Sequence, residues 1–397
     1  MYGLVLEGGG ARGSYHIGAY KAIMEEGIEI GAIAGTSVGA LNGAMIVQGD
    51  YEKALELWQD IKYSMVINAN DEEIEKLKNK KLDKDDIHNL TGKIKSVITD
   101  RGLDITPLKE LLSTYIDEEK IRNSPMDFGI VTINLTDFKP MEIFKEDIPQ
   151  GAIKDYLLAS SYLPIFKNEK LGGKRFLDGA FYDNLPFSLL QSRGYDKLII
   201  VRTHAKGLTK RITPELEAII ISPSDYIGEF YEFEYEAARR NIELGYYDGL
   251  KALRGLRGIK YYIEPKGEQY YFNILLNLDE DKLSNIRECI RTPNIPDKRA
   301  LFEHIIPKVA SSMGLNKDFD YEDFVLALLE RKASSLEISR FHIYSFDDLC
   351  KLVKNTPSKV IEKPTEHGPL SKIIEKVDLS TLFINDELIL DIADIII

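Results

Sequence analysis

The sequence predicts an α/β fold built on a mostly parallel sheet, followed by a smaller, largely helical C-terminal region. Three observations predict it. An apolar run at Tyr2 to Leu6 passes through a glycine loop into a helical pattern, and the same order repeats from Ile30 to Gln48. Leu198-Ile199-Ile200-Val201 is a continuous apolar run, as a strand covered on both faces requires. After about residue 265 the glycine turns thin out, and proline joints appear at Pro293, Pro296, Pro357, Pro364 and Pro369. The expected division is therefore a first domain over 1–265 and an accessory region of unknown role over 266–397.

Each element has its own reason. Tyr2 to Leu6 reads as a buried strand. Ser14 to Glu26 carries Tyr15, Ile17, Tyr20, Ile23 and Met24 at helical spacing, with Gly27 placed to end the helix. Ile30 to Ala34 is a second short strand, Val38 to Gln48 a helix closed by Gly49-Asp50, and Tyr51 to Ile61 another helix. Residues 71–100 are rich in Lys, Glu and Asp and poor in large apolar residues; they read as a solvated helical excursion, or as a mobile cover over a site. Thr106-Pro107 starts a helix through Tyr115, with Thr at the N-cap and Pro at the first helical position. Phe128 to Leu135 is a strand with Pro140 to Phe144 as its neighbour, and Ile153 to Ser160 is helical. Arg175 to Leu177 leads into an Asp-Gly turn. In the C-terminal region Phe324 to Lys332 is helical, and the apolar Leu388 to Ile397 reads as a terminal strand or docking tail.

Composition narrows the function. Of 397 residues, 44% are hydrophobic and 29% charged, which fits a globular chain. The net charge of -13 argues against nucleic acid as a partner and against simple attraction to anionic lipid. Two cysteines, Cys289 and Cys350, exclude a disulfide framework. Neither a signal peptide nor an apolar run of about 18 residues is visible. The expectation is a cytoplasmic protein, peripheral to membranes at most.

Three short stretches carry chemistry. Gly35-Thr36-Ser37-Val38-Gly39 matches G-x-S-x-G, a strand-to-helix turn that pushes a serine hydroxyl outward between two glycines. Gly8-Gly9-Gly10-Ala11-Arg12-Gly13 offers free backbone N–H groups to a developing oxyanion. Asp178-Gly179-Ala180 ends an apolar run and aims a carboxylate from a strand end, where burial would raise its basicity. The glycine loop also fits a dinucleotide fingerprint, with Glu26 and Glu29 near the ribose position. It is denser in glycine than that role needs, and the dinucleotide reading leaves Ser37 and Asp178 without a task. Among six histidines, His204 could complete a Ser37–Asp178–His204 triad in hydrolase order; His16 sits one turn past the loop and is expected to pack.

Taken together, these motifs resemble the patatin-like phospholipases, with further echoes in Ala159-Ser160-Ser161-Tyr162-Leu163-Pro164 and Asp183-Asn184-Leu185-Pro186. The likeness covers about residues 1–265. It implies a three-layer α/β/α core and hydrolysis of lipid acyl esters by a Ser–Asp dyad without metal or cofactor. Ser37 would be the nucleophile and Asp178 its base. Gly8, Gly9, Gly10, Arg12 and Gly13 would form the oxyanion-hole loop. Gly35 and Gly39 would form the nucleophile elbow, and Gly179 and Ala180 the aspartate turn. The implied partners are a lipid substrate and a transient membrane surface. A lipid-binding or regulatory module with a degenerate site is the alternative. Head group, oligomeric state and any activator are left open.

Overall fold

Side-chain alternation along the strands decides how the layers form. In the computed structural model, which describes residues 1–68, 71, 102–167, 169–213, 216–290, 292–357 and 386–397, seven strands make one sheet. They are β1 (Tyr2–Leu6), β2 (Ile30–Thr36), β3 (Asp127–Asn134), β4 (Lys139–Phe144), β5 (Phe176–Asp178), β6 (Lys197–Val201) and β7 (Glu217–Ile221). The order is β4-β3-β2-β1-β6-β7, with β5 also paired to β3. The pairs β3/β2, β2/β1, β1/β6 and β6/β7 are parallel; β4 and β5 run antiparallel to β3.

Helices cover both faces. Val5, Ala32, Ala34, Val131, Leu198 and Ile200 pack with Phe187, Leu189 and Leu190 of the helix Phe187–Gln191. The alternate residues Leu6, Ile33 and Phe128 instead approach Gly43 of helix α2 (Val38–Val47), which follows α1 (Ser14–Glu25) in the chain. Successive strand residues thus bury opposite sides, the period of two expected of a strand, and the core is an α/β/α sandwich. Helix α1 is sunk under the helix Tyr235–Arg254. A Cβ at Gly18 would collide with the Ile242 carbonyl, and one at Gly245 with the Tyr15 carbonyl, so backbone meets backbone there.

The parallel strands start this arrangement as the sequence predicts, and β4 and β5 refine it. Helix Thr106–Tyr115 begins one residue earlier than its capping pattern suggests: Thr106 is itself helical, and Asp104 Oδ1 accepts from Thr106 N (3.0 Å) and Oγ1 (2.7 Å). Apart from Asp71, the charged stretch 71–100 and its reading as a cover lie outside the described residues.

The chain divides into two compact units, Met1–Leu253 and Arg254–Ile397, against the expected change at residue 265. The second unit has its own core around the helix Tyr321–Ser335, in which every residue from Phe324 to Glu330 is buried. The Glu330 carboxylate accepts the N–H groups of Ile259 (2.8 Å) and Tyr261 (2.9 Å), so a buried charge is met by backbone donors. Leu388 to Ile397 is not a strand, and it docks on the core of this unit as a helix. It lies in the helix Asp386–Ile396, which buries Ile389, Ile392, Ala393 and Ile396, a three-and-four spacing with one apolar face. Among the described residues, no helix is long and apolar enough to cross a membrane.

Candidate active site

Parallel strands deliver their C-terminal ends to one edge of a sheet, and loops leaving neighbouring strands meet there. β1 and β2 are neighbours, with Leu6 opposite Gly35, so the glycine loop and the serine turn leave the sheet side by side. Gly13, at the end of the loop, reaches α2: the Asn42 amide donates to its carbonyl at 2.8 Å.

Ser37 stands between β2 and α2 with φ 55° and ψ -129°. A non-glycine residue at positive φ costs on the order of 1–3 kcal/mol and persists only when its surroundings impose it. Here its N–H donates to Ser160 Oγ (2.9 Å), and its carbonyl accepts from Ala40 N (2.9 Å) and Leu41 N (3.2 Å). Ser160 Oγ in turn donates to the Val131 carbonyl at 2.6 Å. Both flanking glycines are required sterically. A Cβ on Gly35 would strike the Gly39 backbone, and one on Gly39 would strike the Leu6 carbonyl. The turn also sets Ser37 Oγ at the positive end of the α2 dipole.

Asp178 closes β5, which β3 holds in register through Thr132 opposite Asp178. Its Oδ2 accepts from Ser37 Oγ at 2.7 Å, and its Oδ1 from Ala180 N at 2.8 Å. Asp178 is buried, and Ser37 nearly so. Burial raises the Asp178 pKa to about 6, although the hydrogen bonds from Ala180 N–H and Ser37 act in the opposite sense. Gly179 has no room for a side chain, since a Cβ there would meet the Val131 carbonyl.

The glycine loop is held from three sides. Gly8 N donates to the Asn184 carbonyl (3.2 Å), and Thr203 Oγ1 donates to the Gly8 carbonyl (2.5 Å). A Cβ on Gly9 would stand 2.7 Å from Thr203 Oγ1. Gly10 has φ +57°, and a Cβ there would run into the Phe230 carbonyl, which accepts from Ala11 N at 2.7 Å. The N–H groups of Gly9 and Gly10 have no hydrogen-bond partner among the described residues. Arg12 is an anchor for this loop. Its Nε donates to Gly228 O (2.8 Å) and its Nη1 to His204 O (3.0 Å), while Nη2 lies 3.6 Å from the Glu229 carboxylate.

The two histidines take other places. His204 is exposed, and its Nε2 bonds Ser222 Oγ at 2.8 Å; both Asp178 oxygens already have other donors. His16 is buried, contacts Asn42 Nδ2 through Nδ1 (3.3 Å), and burial lowers its pKa to about 3, so it stays neutral.

Sequence reasoning missed the supporting polar groups. Asn42 bridges Gly13 O and Trp58 Nε1. Glu7 is fully buried; it pairs with Arg202 at 2.9 Å and accepts from Thr203 N at 2.6 Å. Their signal was available. Asn42 is the one polar side chain in Val-Gly-Ala-Leu-Asn-Gly-Ala, and Glu7 the one charge at the end of an apolar strand. A buried polar group in such a setting needs a partner.

A family model for patatin-like phospholipases matches residues 4–190. A patatin-like phospholipase domain-containing protein of Caenorhabditis elegans is 26% identical over 199 residues, 50% of this chain and 16% of its own length. Lysophospholipase NTE1 of Saccharomyces cerevisiae is 28% identical over 199 residues, again 50% of this chain and 10% of its own. The chain thus spans a small fraction of the length of these relatives. The crystal structure of VipD from Legionella pneumophila aligns over 99% of this chain and 90% of its own, at 14% identity and a TM-score of 0.38, a likeness too slight to bear on the fold. Residues 4–190, which hold the glycine loop, the serine elbow and the aspartate turn, are thus the part of the chain that matches the patatin-like phospholipases.

Proposed function

We propose that this chain hydrolyses lipid acyl esters, in the manner of a phospholipase A or lysophospholipase, through a Ser37–Asp178 dyad and an acyl-serine intermediate. The observation that carries the reading is the 2.7 Å hydrogen bond from Ser37 Oγ, on its positive-φ turn, to a buried carboxylate that burial has made more basic. Asp178 takes the Ser37 proton as Oγ attacks the ester carbonyl, and the N–H groups of Gly9 and Gly10 receive the negative charge that forms on the carbonyl oxygen. The tetrahedral intermediate collapses; the C–O bond to the alcohol breaks, and Asp178 returns the proton to the leaving oxygen. Water then attacks the acyl-serine with Asp178 again as base, and Ser37 leaves with the proton. The membrane surface enters as the source of substrate, and residues 266–397 as an accessory region to this chemistry.

Labelling with a fluorophosphonate tests the reading. The wild-type chain should label and Ser37→Ala should not, with turnover of a short-chain ester lost in parallel. An unlabelled wild-type chain would favour the binding module. The bonding of His204 to Ser222 supports a dyad over a triad. His204→Ala should therefore lower kcat/KM by less than about threefold, where loss of a true general base costs about 10²-fold or more. A loss of that larger size would restore the triad.

A further inference from the structure

Ser37 is nearly buried, so a substrate reaches it only past the segments around the site. Three of these adjoin the catalytic loops, one by following Ala180 in the chain and two through hydrogen bonds. Leu208 N donates to the Ala180 carbonyl at 2.9 Å, and Asn184 N donates to the Leu208 carbonyl at 2.6 Å. Phe230 O holds Ala11 N, and Gly228 O holds Arg12 Nε. The segments 181–182, 208 and 226–231 therefore form the rim of the site. They carry Phe181, Tyr182, Leu208, Tyr226, Phe230 and Tyr231, which are 38 to 62% exposed. These are six of the fourteen exposed large hydrophobic side chains among the described residues; the other eight are spread over the rest of the chain. Such clustering of exposed apolar surface marks a contact face.

The composition of the rim selects what it touches. Phenylalanine and tyrosine suit a membrane–water interface, where the ring is buried and the hydroxyl stays wet. Residues 225–236 add Asp225, Glu229, Glu232, Glu234 and Glu236, with no lysine or arginine among them. Lys206, Lys210 and Arg211 stand near Leu208, and Lys210 is already paired with Glu142 at 2.9 Å and Asp183 at 3.2 Å. Arg12 and Arg240 reach the same segment, Arg12 Nη2 lying 3.6 Å from Glu229 and Arg240 donating to the Tyr226 carbonyl, so charges of both signs line the rim and no net positive patch draws it to an anionic leaflet.

We propose that this rim docks on a zwitterionic phospholipid surface by inserting its aromatic side chains, without help from anionic lipid. The proposal rests on the lipid-hydrolase reading, because the rim is placed by the same loops that form the catalytic site. Docking would bring the mouth of the site against the bilayer, so that an acyl ester passes from lipid to Ser37 without crossing water.

Sedimentation with vesicles tests it, using the full chain with Ser37→Ala so that the lipid survives. The protein should sediment with phosphatidylcholine vesicles and no better with a phosphatidylcholine–phosphatidylserine mixture, and added salt should not release it. Adding Tyr226→Ser and Tyr231→Ser should lower the partition by about tenfold, since each ring forfeits its apolar burial. With Ser37 intact, the same pair of substitutions should leave turnover of a soluble short-chain ester unchanged, and thermal melts should match. Unchanged sedimentation of the double variant would overturn the docking face. So would a salt-sensitive preference for phosphatidylserine, or a fall in oligomeric mass that makes the rim a self-contact. Loss of ester turnover and of fluorophosphonate labelling in the wild type would strike the hydrolase reading alone; the sedimentation comparison strikes the docking face alone.

Discussion

Asp178→Asn should lower kcat/KM for a soluble ester by about 10⁴-fold and at the same time raise thermal stability at alkaline pH. The two effects share one cause. Asparagine has the shape of aspartate and can keep both hydrogen bonds, its oxygen accepting from Ala180 N and its amide donating to Ser37 Oγ. What it lacks is a lone pair able to hold a proton, so the chemistry goes while the fold stays. Wild-type activity should rise with pH through about 6, as Asp178 ionises, and this limb should be absent from the residual activity of the variant. The stability effect has the opposite sense. The folded pKa, about 6, lies above the ordinary 3.8. The favourable contribution of the protonated carboxyl is therefore complete below 3.8 and is lost as pH rises through 6. Above that, the buried charge costs on the order of 3 kcal/mol, which asparagine does not incur. Melting temperatures of the two proteins should diverge at pH 8 and converge below pH 4. Activity retained within tenfold, or melting curves that differ equally at both pH values, would remove Asp178 from the role of base.

Gly39→Ala should destabilise the protein by about 3 kcal/mol, and Gly43→Ala, one helical turn away, by less than about 1 kcal/mol. Both glycines face the sheet from α2, but they meet different things. The methyl at 39 would strike the carbonyl oxygen of Leu6, backbone of a strand with neighbours on both sides, and stand 3.1 Å from the Glu7 carbonyl. No rotamer change relieves that, so α2 must lift and carry Ser37 with it. The methyl at 43 would meet Ile33 Cγ2 at 3.0 Å and Phe128 Cε2 at 3.1 Å, side-chain atoms able to give way by a few tenths of an ångström. Denaturant unfolding of the two variants should show this order, and Gly39→Ala should also lose ester turnover per folded molecule. Equal losses at the two positions would mean that α2 is not fixed by its contact with β1.

The parts of the fold legible in the sequence were those in which a local pattern and a global role coincide. Val5, Ile33 and Ile200 lie in runs that only a doubly covered strand explains, and Gly35-Thr36-Ser37-Val38-Gly39 joins such a strand to a helix. The aspartate turn was legible because Asp178 ends an apolar run. The reach across 141 positions from Ser37 to Asp178 was expected from the resemblance and from no local pattern, because none encodes which strands become neighbours. The same limit hid Thr203 and Ser160, whose hydroxyls look like ordinary solvent-facing groups until the chain brings them to Gly8 and Ser37. The helix Asp386–Ile396 was misread for the opposite reason. Its apolar content drew attention to strand propensity, while the spacing of Ile389, Ile392, Ala393 and Ile396 already had a helical period.

The bond between Ser37 N–H and Ser160 Oγ gives the proposed reaction a handedness. With its own amide engaged, the nucleophile offers no donor to the oxygen it creates. The charge must develop on the side of the loop after β1, while the proton travels on the side of β5. An ester can satisfy both only by presenting one of its two carbonyl faces to Oγ. Two mirror-image alcohols attached to the same acyl group would then leave along unequal paths, and a racemic ester should be resolved as it is consumed.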